Sequence, residues 1–285
     1  TTDLTTLKRD ELLELNLITD ELKRRKLQGE CRENFLTFVR TMWSSFIEGA
    51  HHRIMCEQFN KIAKGELKRV IINMAPRHSK SEMSSYMLPS WLLGIRPDLK
   101  IIQATHTGEL AVRFGRKVRD LVDTREYKEI FPNVSLRADS KAAGRWETTE
   151  GGEYFASGVG GAITGRGADI LIIDDPHSEQ DALSETAMEM AYEWYTSGPR
   201  QRLQPGGVII LVMTRWSKKD LTGQLLKAQM SDLKADKWEL IEFPAIMPSG
   251  KPVWEEFWKI EELEGIRASL PPVSYTHLRA HETQR

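Results

Sequence analysis

The chain has 285 residues, 40% of them hydrophobic and 28% charged, with a formal net charge of −1. This is the composition of a globular protein of one large domain or two modest ones, and it excludes a wholesale basic coat, so any nucleic-acid contact must be local. Two cysteines, Cys31 and Cys56, show neither metal-ligand spacing nor a disulfide framework; with no apolar run long enough to span a bilayer, the expectation is a reducing, cytoplasmic setting.

In chain order, Leu4, Leu7, Leu15, Ile18 and Leu22 form a loose helical stripe among many charges, the pattern of a solvated arm. Phe35, Phe38, Val39, Met42, Trp43 and Phe46 then fall at i, i+3, i+4, i+7, i+8 and i+11, one apolar face of a helix that packs on a neighbouring core. His51-His52-Arg53 and Glu57-Gln58 open a further helix that ends near Gly65. Gln58 or Arg53 has the hydrogen-bonding fork to read an adenine edge, and a polar helix start explains them equally well.

Arg69-Val-Ile-Ile-Asn-Met74 is a β-branched strand. It feeds the loop Ala75-Pro76-Arg77-His78-Ser79, which closes on Lys80-Ser81 at the start of a helix-compatible segment. Strand, loop and Lys-Ser at a helix start is the geometry of a phosphate-binding loop. Unpaired N–H groups and the positive helix end attract triphosphate there; Lys80 would reach the β- and γ-phosphates and Ser81 would ligate Mg²⁺. Met74 and Ser79 stand where the Gly-x-x-x-x-Gly-Lys-Ser/Thr pattern wants glycine. Ser79 can replace glycine only with a negative φ or in a loop that tolerates strain. The bland alternative is a surface loop with a stray Lys-Ser.

The helix-compatible segment is expected to break at Pro89, and Lys100-Ile-Ile-Gln-Ala104 reads as a second strand. Thr107 can N-cap the next helix, whose buried side is Leu110, Ala111, Phe114, Val118 and Leu121. Its basic residues Arg113, Lys117 and Arg119 read as a solvated face rather than a DNA contact. This alternation predicts a parallel sheet with crossover helices. From Phe131 to Thr149 the pattern is weak and polar, and Glu153–Ser157 is a short strand. Gly158–Gly167 carries five glycines but precedes a strand, so it is no dinucleotide fingerprint; it reads as a mobile loop presenting Arg166.

Asp169-Ile-Leu-Ile-Ile-Asp174-Asp175-Pro176 is the second strong signal. The aliphatic run implies a strand buried on both faces, with two carboxylates at the end where open α/β sheets bind ligands. Asp and Pro also make ordinary turns. Downstream of a phosphate loop, Asp174 would hold Mg²⁺ through water and Asp175 would orient or deprotonate the attacking water. Val208–Met213 is a third buried strand, ending in Thr214-Arg215-Trp216. There the Thr214 hydroxyl can sense a γ-phosphate and Arg215 can pass the signal on. Ser217 with Asp220 reads as a capping box, and Glu239–Phe243 as a last strand. From Pro244 on, Pro, Gly and Trp mark a linker that leaves the sheet.

The tail Val273–Thr283 resembles the translation of a sequencing-library adapter, so its His277 and His281 are set aside as metal ligands. The expected organisation is a helical segment 1–50, a phosphate-loop ATPase domain 51–245, a linker 246–272 and the adapter-like tail 273–285.

Taken together, Ile71–Ser81, Gly160–Pro176 and Met213–Trp216 with Asp220-Leu-Thr-Gly223 resemble the ATPase domain of a tailed-phage large terminase, the motor that pumps DNA into a procapsid. The similarity runs from about His51 to Leu270. It implies an α/β P-loop NTPase of RecA-like (ASCE) type, a mostly parallel central sheet flanked by helices, with an N-terminal helical segment. It implies ATP and Mg²⁺ as cofactors, bound by Pro76, Arg77, His78, Ser79, Lys80 and Ser81, with Gln58 on the adenine side. Asp174 would share the metal with Ser81, Asp175 would be the catalytic acid, and Thr214-Arg215 the coupling motif. An arginine finger is also implied: Arg77 within its own subunit or Arg166 across a ring interface, with Arg166 preferred. The implied partners are double-stranded DNA, a portal protein, a small terminase subunit and further copies in a ring, in the host cytoplasm at the procapsid portal, with no membrane. Such motors usually carry a C-terminal nuclease with clustered acids on two metals; no such cluster precedes the tail, so nuclease activity is not expected of this chain. Two departures stand out, Ser79 for glycine and Asp175 where Glu is common. The alternatives are another P-loop DNA motor (a helicase or remodeller) and a nucleotide-binding scaffold with a degenerate loop.

Overall fold

The computed structural model describes residues 9–269 apart from Thr164; the adapter-like tail lies outside the described residues. Its strands are β1 (Arg69–Met74), β2 (Lys100–Thr105), β3 (Leu136–Ala142), β4 (Arg145–Thr148), β5 (Glu153–Gly158), β6 (Ala168–Asp174), β7 (Leu203–Met213) and β8 (Glu239–Phe243). They form one sheet in the order β3-β4-β5-β2-β6-β7-β1-β8. From β5 to β8 every pairing is parallel, and β3-β4-β5 is antiparallel. The helices are α1 (Arg9–Glu33), α2 (Phe35–Met42), α3 (Ala50–Ala63), α4 (Leu88–Ile95), α5 (Gly108–Val122), α6 (Arg125–Ile130), α7 (Glu185–Ser197), α8 (Leu221–Ser231) and α9 (Ile260–Ser269).

The central strands read as unbroken aliphatic runs because both sheet faces are covered. Alternate residues serve opposite layers. Val70, Ile72, Ile172, Ile210 and Val212 pack with Phe35, Phe38, Phe59 and Trp91 from α2, α3 and α4. Ile71, Leu171, Ile173, Ile209 and Leu211 pack with Tyr195, Leu221 and Leu225 from α7 and α8. From the expected N-terminal helical segment, α2 contributes Phe35, Phe38 and Val39 to the first of these cores.

Three local expectations need correction. The helix does not break at Pro89: a π-helical segment, Glu82–Met87, runs directly into α4 with Pro89 in its first turn. The missing proline donor thus falls where the hydrogen-bond pattern already changes. Ser217 does not cap α8; Asp220 does, its carboxylate accepting from Gly223 N at 2.9 Å. The polar stretch after Phe131 contains the β3–β4 hairpin, whose Trp146 is buried and stacks on Tyr154 at 5.1 Å.

Candidate nucleotide site

Parallel pairing brings the carboxyl ends of β6, β7 and β1 side by side, the edge where open α/β sheets bind ligands. Each end delivers one part of a polar cluster. From the loop after β1, Lys80 reaches Asp175 beyond β6, Nζ to Oδ2 at 2.7 Å. Ser81 Oγ donates to Asp174 Oδ1 at 3.0 Å, and Ser85 Oγ donates to Asp174 Oδ2 at 2.7 Å. Ser85 is itself fixed by Gln103 Nε2 of β2, at 3.0 Å. Beyond β7, Thr214 N donates to Asp175 Oδ1 at 2.7 Å, and the Thr214 hydroxyl donates to Met74 O at 3.4 Å. The backbone of Thr214, rather than its hydroxyl, orients the acid.

Burial pushes the Asp174 carboxyl up to about 7, and the neighbouring Asp175 adds to this, while Lys80, Ser85 and Ser81 oppose it. The folded chain therefore holds a proton on Asp174 that the unfolded chain releases near pH 4, close to the model-peptide value of about 3.9. Between there and about pH 7 the native state binds more protons, so this group's contribution to stability declines as pH rises through that window. Asp174→Asn is accordingly expected to melt a few degrees above the wild type at pH 8, with a clearly smaller gap at pH 5. Melting curves at the two pH values check this, and a difference that does not change with pH counts against it.

The donor set at this edge, one hydroxyl and one carboxylate, fits Mg²⁺, which prefers oxygen ligands and takes only one or two from protein when phosphates and water complete its shell. Among the described residues no group of three or more His, Cys, Asp or Glu could hold a metal by protein ligands alone.

The loop itself is strained. Arg77 and Ser79 have φ of 60° and 62°, and Asp175 beyond β6 has 42°, the left-handed region where a non-glycine residue costs on the order of 1–3 kcal/mol. Of the two conditions open to Ser79, the structure takes the second, a tolerated strain. His52 Nε2 of α3 lies 2.5 Å from Ser79 Oγ, and Ser79 Oγ donates to His78 O at 2.6 Å. His78 is buried, its Nδ1 donating to Pro76 O at 2.8 Å, whereas Pro76 and Arg77 are exposed.

The segment after Pro244, read as a linker leaving the sheet, folds back over this loop. Trp258 stacks on His78 with ring centroids 5.9 Å apart, and Trp254 meets His51, His52 and His78 at 5.4, 5.0 and 6.4 Å. Ala245 and Leu263 pack on Ala75 at the loop's start. Pro and Gly give the stretch a linker's composition, but its tryptophans bury themselves on the histidines.

Two further expected site residues have partners outside the Lys80–Asp175 cluster. Gln58 is buried on α3, its carbonyl accepting from Lys61 Nζ at 3.3 Å, and it is His52, nearly two turns earlier, that touches the loop. Arg166 pairs with Glu153 at the start of β5 and lies over the Phe155 ring at 4.2 Å. That is the amino-terminal rim of the parallel strands, opposite the Lys80–Asp175 pair. Arg215 is held by Asp220, Nε to Oδ2 at 2.9 Å, and its Nη1 is 3.5 Å from Glu242 of β8, so it ties β7 to the edge strand. Sequence reading missed His52, Ser85, Gln103 and Trp254. For His52 the only signal was its place in a polar helix start.

No family profile matches the chain, and no curated protein matches it in sequence. Among solved structures, the bacteriophage HK97 large terminase superposes with a TM-score of 0.50 at 13% identity, covering 78% of this chain and 48% of that one. The large terminase of a thermophilic bacteriophage in complex with ADP gives 0.48 at 11% identity, over 78% and 52% of the two chains. The ATPase domain of the Thermus phage P74-26 large terminase gives 0.45 at 15%, over 74% and 87%. The likeness to the HK97 protein is one of fold, a mostly parallel α/β sheet flanked by helices, and the chain spans about half of that protein's length.

Proposed function

We propose that this chain is the ATP-hydrolysing domain of a terminase large subunit, a motor that drives double-stranded DNA into a procapsid. The observation that carries the reading is the meeting of two distant sequence signals at one strand edge, with Lys80 Nζ 2.7 Å from Asp175 and Ser81 on Asp174. A triphosphate would lie against the backbone N–H groups of 77–81 at the start of the helical segment, with Lys80 neutralising its β- and γ-oxygens. Ser81 and Asp174 would hold Mg²⁺, which supplies charge neutralisation on the phosphates when bound. Lys80 exchanges Asp175 for phosphate, which frees a carboxylate oxygen to accept a proton from the attacking water; Thr214 N–H keeps the other oxygen aimed. Arg215, bonded to Asp220 and Glu242, would carry the change from the Thr214 turn to β8 and the segment covering the loop.

The proposed partners are double-stranded DNA, a portal protein, a small terminase subunit and further copies in a ring, working in the host cytoplasm at the procapsid portal. Turnover of ATP by the purified chain, with and without Mg²⁺ and duplex DNA, tests the reading. Mg²⁺-dependent hydrolysis raised by DNA is the expected result, and failure to bind ATP contradicts it.

The arginines separate by position. Arg77 sits on the loop and would act within its own subunit, whereas Arg166 faces the far rim and would act only across an interface. In dilute monomer, Arg77→Ala is expected to lower kcat by at least tenfold, a modest share of the ~10³–10⁵ seen for arginine fingers. Arg166→Ala is expected to leave the monomer's rate unchanged and lower only that of the assembled, DNA-bound motor. Steady-state rates of both variants across a range of protein concentrations check the assignment.

A further inference from the structure

Ser79 stands immediately before Lys80 with a φ of 62°, a conformation that glycine adopts freely and serine does not. A chain of hydrogen bonds with a single possible direction holds it there. Gly49 N donates to His52 Nδ1 at 2.9 Å, so Nδ1 carries the lone pair and the ring proton is on Nε2. Nε2–H therefore donates to Ser79 Oγ at 2.5 Å, and the Ser79 hydroxyl in turn donates to His78 O at 2.6 Å.

The imidazole has no freedom to leave this arrangement. His52 is fully buried, with Phe46 at 4.8 Å, Trp254 edge-on at 5.0 Å and His51 at 3.8 Å. A Cβ on Gly49 would fall 2.6 Å from Trp254 Cδ1, so glycine is required where the relay begins. Burial, reinforced by His51 and His78, holds the His52 pKa down to about 2, so the ring stays neutral and the direction of the relay is the same at every working pH.

We propose that His52 is a positioning residue of the phosphate-binding loop, fixing Ser79 by a hydrogen bond in the conformation that a glycine would supply by lacking a side chain. The proposal rests on the reading of 76–81 as the triphosphate cradle. A residue free to leave the left-handed region would turn its peptide, and the N–H groups around Lys80 would no longer converge on one anion.

Epistasis tests this, because replacing Ser79 by glycine makes the relay unnecessary. ATP affinity is measured by calorimetry, and KM and kcat by steady-state hydrolysis, for the wild type, His52→Ala, Ser79→Gly and the double variant. His52→Ala is expected to raise both Kd and KM about tenfold, the scale set by one strained residue, while kcat changes less than twofold. Measured against Ser79→Gly, the double variant is expected to lose less than twofold in Kd and KM, because glycine needs no hydrogen bond to hold this conformation. A His52→Ala variant that binds ATP as the wild type does overturns the proposal. A double variant that binds about tenfold more weakly than Ser79→Gly also overturns it, by assigning His52 to general packing. A wild-type chain that binds no ATP overturns the nucleotide reading itself, and this proposal with it.

Discussion

Lys80→Ala is expected to reduce ATP hydrolysis by about 10²–10³, the loss that follows removal of one preorganised charge-stabilising donor. Lys80 is 5% exposed and contacts Asp175 at 2.7 Å, so its ammonium is already desolvated and aimed across the sheet edge. Its loss has two consequences. The triphosphate loses a charge-assisted bond worth about 1.5–3 kcal/mol, roughly 10- to 150-fold in affinity. Asp175 loses the cation that offsets it, so its negative charge repels the incoming phosphates. Binding and turnover should therefore fall together. A variant that folds with the wild-type melting temperature and hydrolyses ATP within threefold of it would remove Lys80 from the site.

Asp175→Asn is expected to separate these two quantities. The amide keeps the shape and can still accept from Thr214 N, which now meets Asp175 Oδ1 at 2.7 Å. It removes the charge that holds Lys80, so ATP should bind as tightly as in the wild type or more tightly. Turnover should nonetheless fall by about 10²–10⁴, the usual contribution of a positioned general base. Calorimetry on the variant and single-turnover hydrolysis distinguish the two effects. Loss of binding with turnover per bound ATP intact would assign Asp175 to the cradle rather than to the chemistry.

The elements that position this site were legible because they are buried on both faces. β1 and β6 announce themselves as aliphatic runs, and the polar residues following each run mark the carboxyl edge. The hairpin β3–β4 was not legible, because it lies at the sheet margin with Arg137 and Arg145 ion-paired to Asp139, Glu147 and Glu153 near the surface. The short antiparallel ladder leaves only Trp146 and Thr148 of β4 buried, too few to set a period.

Two further features depend on contacts that no local pattern encodes. Trp254 and Trp258 sit among Pro, Gly and charged residues, and only the fold shows that their rings lie on His51, His52 and His78. His52 looked like part of a polar helix start, since its partner Ser79 comes from a loop beyond β1. The sequence did locate the anomaly, a serine where the loop wants glycine. What resolves the anomaly could be seen only in three dimensions. For Arg166 the glycine-rich setting gave no sign of its partner: within one copy the guanidinium pairs with Glu153 at the far rim.

The most direct measurement is a crystal structure of the chain with Mg²⁺ and a non-hydrolysable ATP analogue. In it Lys80 is expected to have left Asp175 for the phosphates, with Ser81 and Asp174 on the metal side and Asp175 still held by Thr214 N. A nucleotide bound anywhere else, with the Lys80–Asp175 pair intact, would contradict it.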